Sequence, residues 1–241
     1  MTHPAVTPPD DSLALRRDVI AACFYMRDRL GYFVGTWGNI SVRVTDGLLV
    51  TPSRVAYEEV QPEDLVVVGW DSGVVRGRRV PTSETELHRQ LMLERPDLGA
   101  IIHSHSAWAS VCACAHRAIP VLSDDMAEVI GGEVHCARYV PAGRHRELAR
   151  AVREAIGPDA CAVLLGNHGV AAGGRDLNEA IVACQFVEKA AMILVQAQAI
   201  GGVQPIPEEL WREERHRYLY KYGRAEDVAD IVQPKDGSEH A

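Results

Sequence analysis

The chain has 241 residues, 47% of them hydrophobic and 24% charged, with a formal net charge of −8. That is enough apolar material for one α/β domain with a substantial core. The acidic balance argues against a nucleic-acid surface but leaves room for a local basic pocket that takes a small anion.

Residues 1–12, rich in Pro, Asp and Thr, read as a loose arm without the apolar stretch of a secretory signal. Over residues 13–30 apolar side chains recur at helical spacing (Leu15, Val19, Cys23, Met26, Leu30), and Gly31 stops the helix. Residues 40–44 and 47–51 predict one hairpin around Thr45-Asp46-Gly47, and residues 65–68 and 73–75 a second around Asp71-Ser72-Gly73. Ser83, three residues before Glu86, predicts a capped helix to about Glu94, where Pro96 breaks it. An apolar strand then runs into His103-Ser104-His105. A helix over 107–115, a short helix over 126–130, a strand over 134–140 and a helix over 144–156 follow. The second apolar strand, Ala162-Val-Leu-Leu165, leads to His168. Asp176 starts a long helix to about Ile200, and a last helix over 207–222 stops at Gly223. Residues 224–241 read as a polar tail, which leaves 13–223 as the domain. Antiparallel hairpins followed by strands flanked by helices predict a single-domain, three-layer α/β/α sandwich with a largely antiparallel sheet. No apolar run approaches the roughly 20 residues a bilayer span needs, so a cytoplasmic protein with no membrane partner is expected. The six cysteines lack C-x-x-C spacing and fit reduced core thiols. Cys112, Cys114 and His116 would be spread around a helix rather than gathered on a metal.

The two apolar strands carry the chemistry. Alternate residues of a strand point the same way, so His103 and His105 can both offer nitrogen to one ion, with His168 completing a facial set. Such a set leaves a coordination position for substrate, as in catalytic zinc sites. A histidine on a buried strand is more often a hydrogen-bonded core residue, but the i, i+2 pair plus a third at a Gly-bounded strand end outweighs that reading. Glu84 is the fourth candidate, against the plain alternative of a carboxylate favouring a helix dipole.

Pro81-Thr-Ser-Glu84, Ile102-His-Ser-His105 and Asn167-His-Gly169, in that order and at those separations, resemble the class II aldolase/adducin family. Gly35-Thr-Trp-Gly-Asn-Ile-Ser41 is similar to its early glycine-rich loop, and Lys221-Tyr-Gly223 to its C-terminal tyrosine motif. The likeness runs from about Leu13 to Gly223. It implies that His103, His105 and His168 hold zinc, or another divalent transition metal, and that Glu84 is a ligand at rest and an acid/base when substrate displaces it. The ion would stabilise the enediolate formed when a carbon–carbon bond breaks. Tyr222 would handle the oxygen at the other end of that bond. The resemblance also implies a homotetramer with active sites between subunits, and a phosphate cradle at Gly38, Asn39, Ser53, Arg54, Thr82 and Ser83.

Two departures bear on the substrate. Arg54 stands where the family has glycine, and either crowds the cradle, clamps a phosphate or carboxylate, or is a solvated loop charge. Ser123-Asp-Asp-Met126 stands where the aldolases place a second tyrosine, so Asp124 and Asp125 either carry protons or cap a helix. His88, four residues after Glu84, either supports the site or is plain surface. The expected reaction is reversible cleavage of a phosphorylated ketose, such as L-fuculose 1-phosphate, into dihydroxyacetone phosphate and an aldehyde. Decarboxylation of a hydroxy or keto acid and pentulose-phosphate 4-epimerisation are the catalytic alternatives. A metal-free adducin-like module is the non-catalytic one.

Overall fold

The computed structural model describes residues 5–224, so the first residues of the expected arm and all of the tail but Arg224 lie outside the described residues. Helix α1 (Leu13–Phe24) is capped by the Ser12 hydroxyl, which accepts the Leu15 N–H at 3.1 Å. It continues into a π-helical turn, Tyr25–Arg29, before Gly31 reverses the chain at φ 68°. The residues ahead of α1 are tied down: Val6 N–H donates to the Pro96 carbonyl, and Asp11 pairs with both Arg16 and Arg76.

Strands β1 (Asn39–Val44), β2 (Gly47–Val50), β3 (Val66–Gly69) and β4 (Val74–Arg76) form the expected antiparallel meander. The free edge of β1 takes β5 (Ala100–Ser104), also antiparallel. Beyond β5 lie β8 (Gly169–Gly174), β7 (Ala162–Leu165) and the two-residue β6 (Cys136–Ala137), giving the order β4-β3-β2-β1-β5-β8-β7-β6. Among the described residues only the β6–β7 strand pairing is parallel. Strands β2, β3, β5 and β7 are buried at every position, because helices cover both faces of the sheet and each side chain must be apolar or satisfied. Helices α2 (Thr85–Glu94) and α5 (His145–Ala155) pack together on one face. On the other, α3 (Ala107–Cys114) and α6 (Leu177–Ala197) cover β5 and β8. Helices α4 (Asp124–Val129) and α7 (Glu208–Tyr220) pack on each other beside α6. By length and composition α6 could cross a membrane, but its Ala180, Ala183, Cys184, Val187 and Ala191 stripe is buried, and it lies against the sheet.

Three elements differ from expectation. The strand read at 134–140 shrinks to β6, with Val134 only bridging Ile119, because it is an edge strand with one short partner. Strand β8 was not expected at all: Gly-Val-Ala-Ala-Gly-Gly has little strand propensity, and close packing selects those small residues instead. A Cβ on Gly169 would stand 2.5 Å from the Ser104 carbonyl oxygen and 2.7 Å from His105 Cδ2. Lastly, α2 begins at Thr85 with Glu84 at its N-cap, and Ser83 is exposed rather than capping. Thr82 N–H is tied to the Thr51 carbonyl while its own carbonyl accepts from Thr85, so the turn closes later than the capping-box spacing suggests. All six cysteines are free thiols, four of them buried.

Candidate metal centre and active site

Pairing of Asn39 with His103 across β1 and β5 brings the mouth of the glycine-rich loop to the imidazoles. His103 is fully buried, and its Nδ1 lies 3.0 Å from the Val170 carbonyl. A carbonyl only accepts, so Nδ1 carries the hydrogen and the Nε2 lone pair faces the cluster. That Nε2 is 2.9 Å from His105 Nε2 and 3.3 Å from Glu84 Oε2, while His168 Nε2 is 3.4 Å from Glu84 Oε1. The three imidazole donor atoms lie within 4.8 Å of one another. Burial, then the neighbouring His168 and His105, holds His103 well below the ordinary imidazole range. Burial and His168 lower His105 in the same way. Both are therefore uncharged donors at neutral pH. Nitrogen and oxygen atoms at these separations fit a shell around one ion with bonds of about 2.0–2.2 Å, so the residues present suit a divalent metal.

Several backbone devices hold this set. His105 N–H donates to the Tyr32 carbonyl at 3.0 Å. Asn167 adopts φ 55°, and His116 Nε2 lies 2.6 Å from its Oδ1, which fixes the turn that presents His168. The buried Glu188 of α6 accepts the Trp108 and Ala109 N–H groups, both at 2.9 Å, and so caps α3 directly after His105. On the opposite face His88 Nδ1 meets Ser41 Oγ at 2.7 Å, and burial lowers its pKa to about 3. His88 is thus a neutral prop beneath Glu84, not surface. Its place four residues after Glu84 was a visible signal. Glu188 had none, since its partners lie some 80 residues away in sequence.

The expected cradle residues also come together. Ser53 N–H donates to the Val80 carbonyl (2.8 Å), Thr82 N–H to the Thr51 carbonyl (3.0 Å), and Ile40 N–H to Thr51 Oγ (3.2 Å), which joins residues 38–40, 51–54 and 80–83 into one rim. Gly38 sits at φ 123°, and a Cβ there would be 2.2 Å from the Phe33 ring, so only glycine fits. Asn39 stands in this rim, and its Nδ2 donates to Glu84 Oε2 at 2.7 Å and orients that carboxylate. Arg54 keeps the left-handed backbone a glycine would adopt, φ 57°, and its exposed guanidinium makes no hydrogen bond or ion pair among the described residues.

Tyr222 does not join its own chain's cluster. Its ring lies 5.7 Å from that of Tyr218, whose hydroxyl meets Glu179 at 3.2 Å in the first turn of α6. That turn follows Gly174, the end of β8 remote from Gly169, about 17 Å of strand away from the imidazoles. Asp125 pairs with Lys189 and accepts from Ser123; burial pushes its carboxyl up, but these partners pull it further down, so it is a fixed anion. Asp124 is exposed in the first turn of α4.

Residues 17–195 match the family model described as the Class II Aldolase and Adducin N-terminal domain. The chain is 35% identical over 226 residues to the 5-methylthioribulose-1-phosphate/5-deoxyribulose-1-phosphate aldolase of Rhodospirillum rubrum, covering 94% of this chain and 99% of that one. It is 33% identical to the L-fuculose phosphate aldolase of Escherichia coli, covering 80% and 87%. A solved L-fuculose 1-phosphate aldolase superposes with a TM-score of 0.81 at 31% identity, covering 87% of this chain and 98% of that one. Imidazoles and a carboxylate gathered at the strand ends of this sandwich define a metal-dependent lyase. The chain belongs to the class II aldolase/adducin family and is one of its aldolases.

Proposed function

We propose that the protein is a zinc-dependent aldolase that reversibly cleaves a ketose 1-phosphate into dihydroxyacetone phosphate and an aldehyde, acting in the cytoplasm where its thiols stay reduced. The observation that carries this reading is Glu84 set 3.3–3.4 Å from two of the three imidazoles and oriented by Asn39. His103, His105 and His168 would hold the ion, with Glu84 as the displaceable fourth ligand. The ion supplies Lewis-acid withdrawal of charge from a hydroxyketone. In the synthetic direction Glu84 removes a proton from the carbon beside the ketone, and Tyr222 hands one to the oxygen of the incoming aldehyde; cleavage reverses both transfers. Because Tyr222 sits at the far end of its own sheet, it serves a neighbouring copy, in keeping with a homotetramer. The rim at Gly38, Asn39, Ser53, Thr82 and Ser83 takes the phosphate, with Arg54 as its cation.

Stripping the protein with a chelator should abolish cleavage, and stoichiometric zinc should restore it with the fold unchanged by circular dichroism. Full turnover by metal-free protein would end this reading. A holoprotein inert toward ketose phosphates but active on keto acids would favour decarboxylation instead, in which Arg54 holds a carboxylate.

Arg54→Gly offers a separate check, because its two expected effects have opposite signs. Relief of the left-handed backbone should raise stability by about 1 kcal/mol, or about 2–4 °C in thermal unfolding. Loss of a charged hydrogen bond should weaken phosphate-bearing substrate by about tenfold in KM. A raised melting temperature with KM unchanged would reduce Arg54 to a solvated loop charge.

A further inference from the structure

Resting on the metal-centre reading, we infer that Glu188 is a positioning residue for His105: by tying the start of α3 to α6 it fixes the backbone that aims this imidazole, and so sets how tightly the centre holds its ion. Each imidazole of the set needs something to orient it. His103 is steered through its ring, by the Val170 carbonyl at Nδ1, and His168 through the Asn167 turn that His116 braces. His105 has neither. Its one ring hydrogen bond among the described residues is at Nε2, toward His103, which leaves its aim to the main chain.

That main chain is held at two points. His105 N–H donates to the Tyr32 carbonyl, and the Trp108 and Ala109 N–H groups, three and four residues on, donate to the two carboxyl oxygens of Glu188. The two holds are neighbours, since burial and then the Glu188 carboxylate push the Tyr32 hydroxyl up to about 12.

Capping alone does not account for the glutamate. Trp108 and Ala109 are the second and third residues of α3, the positions an N-cap side chain serves, and Ser106 occupies that cap in non-helical backbone (φ −59°, ψ 143°). Its hydroxyl nonetheless makes no cap bond. It lies buried with no hydrogen-bond partner among the described residues, because Glu188 holds both N–H groups in its place. A carboxylate is a costly substitute for a serine already present, since it must leave water: Glu188 is 9% exposed on a face of α6 otherwise made of Ala, Cys, Val and Leu. A serine cap would bind α3 only to its own first turn. The glutamate binds it to another element, and the residue just before the cap is a ligand of the set.

The test uses the full chain, with zinc affinity read by competition with a chromogenic chelator and ligand geometry read from the visible bands of cobalt(II) in place of zinc. Glu188→Gln sets an amide NH2 against one of the two backbone donors, which breaks one tie and leaves Ser106 free to cap. Zinc should bind about 10- to 100-fold more weakly, the range that partners behind a ligand command. The cobalt bands should change as well, while far-ultraviolet circular dichroism stays that of wild type. Ser106→Ala should leave affinity and bands unchanged. Should Glu188→Gln not fold, Glu188→Asp keeps both acceptors one methylene short of the N–H groups, and the same loss of zinc is expected from it. Wild-type affinity and bands in the folded variant, whatever its melting temperature, would reduce Glu188 to a helix cap and overturn the inference. An equal weakening in Ser106→Ala overturns it too, because the effect would then belong to the turn rather than to the tie. Wild type that binds neither zinc nor cobalt overturns the metal reading along with it.

Discussion

Glu84→Gln is expected to lower kcat for ketose phosphate cleavage by about one hundred- to ten-thousand-fold, with a much smaller change in KM. A positioned general acid/base contributes on that scale and acts in the transition state rather than in binding. The exchange is mild in shape. The glutamine amide oxygen can still accept the Asn39 Nδ2 hydrogen that now goes to Glu84 Oε2 at 2.7 Å. What disappears is the proton transfer and one negative charge beside His103 and His168. Steady-state rates at saturating zinc, with zinc content measured after dialysis, check the prediction; a kcat within threefold of wild type would remove Glu84 from the chemistry. The same variant reports on Tyr222. Hybrids of Glu84→Gln and Tyr222→Phe subunits should regain part of the lost activity, since some sites would then receive an intact glutamate from one copy and an intact tyrosine from another. No regain in verified hybrids would mean that the tyrosine does not cross between copies.

Gly169→Ala is expected to damage both fold and site with a single methyl. The added carbon would lie 2.5 Å from the Ser104 carbonyl oxygen, 2.7 Å from His105 Cδ2 and 3.2 Å from His103 Cε1. Neither backbone nor a packed ring yields cheaply, so β5 and β8 must separate. Overpacking of this kind costs about 1–3 kcal/mol, or about 2–12 °C in a protein of this size. Because the atoms that give way are two imidazoles of the metal set, zinc affinity should fall along with the melting temperature. Gly132→Ala is the control, since a methyl there meets nothing nearer than 3.4 Å. Equal melting temperatures and equal zinc affinities for the two variants would mean that the strands tolerate the methyl.

Much of this was legible in the residues. The i, i+2 histidines, the Asp-Gly and Ser-Gly hairpin turns, and the helices closed by Gly31 and Gly223 all follow local rules of period and capping, and these survive folding. Strand β8 was hidden because its composition answers to a neighbouring strand rather than to its own propensity. Ser83 misled because a capping box describes one helix in isolation, whereas Thr82 is tied to Thr51, 31 positions earlier in the chain. Glu188 and Ser41 were invisible for the same reason: a buried polar group is defined by its partner, and each partner lies far along the chain. The place of Tyr222 could not be read either, since its motif gives the residue but not the end of the sheet where it lands.

The middle pairing of the sheet has a consequence for how the protein is made. His103 and His105 lie on one side of that pairing and His168 on the other, and 63 positions separate His105 from His168. A growing chain therefore presents two nitrogen donors well before the third has been synthesised. Any cation captured then is bound loosely and can still be exchanged. If these imidazoles hold the ion as proposed, tight capture would have to wait until β8 docks against β5, because only then do all three donors meet.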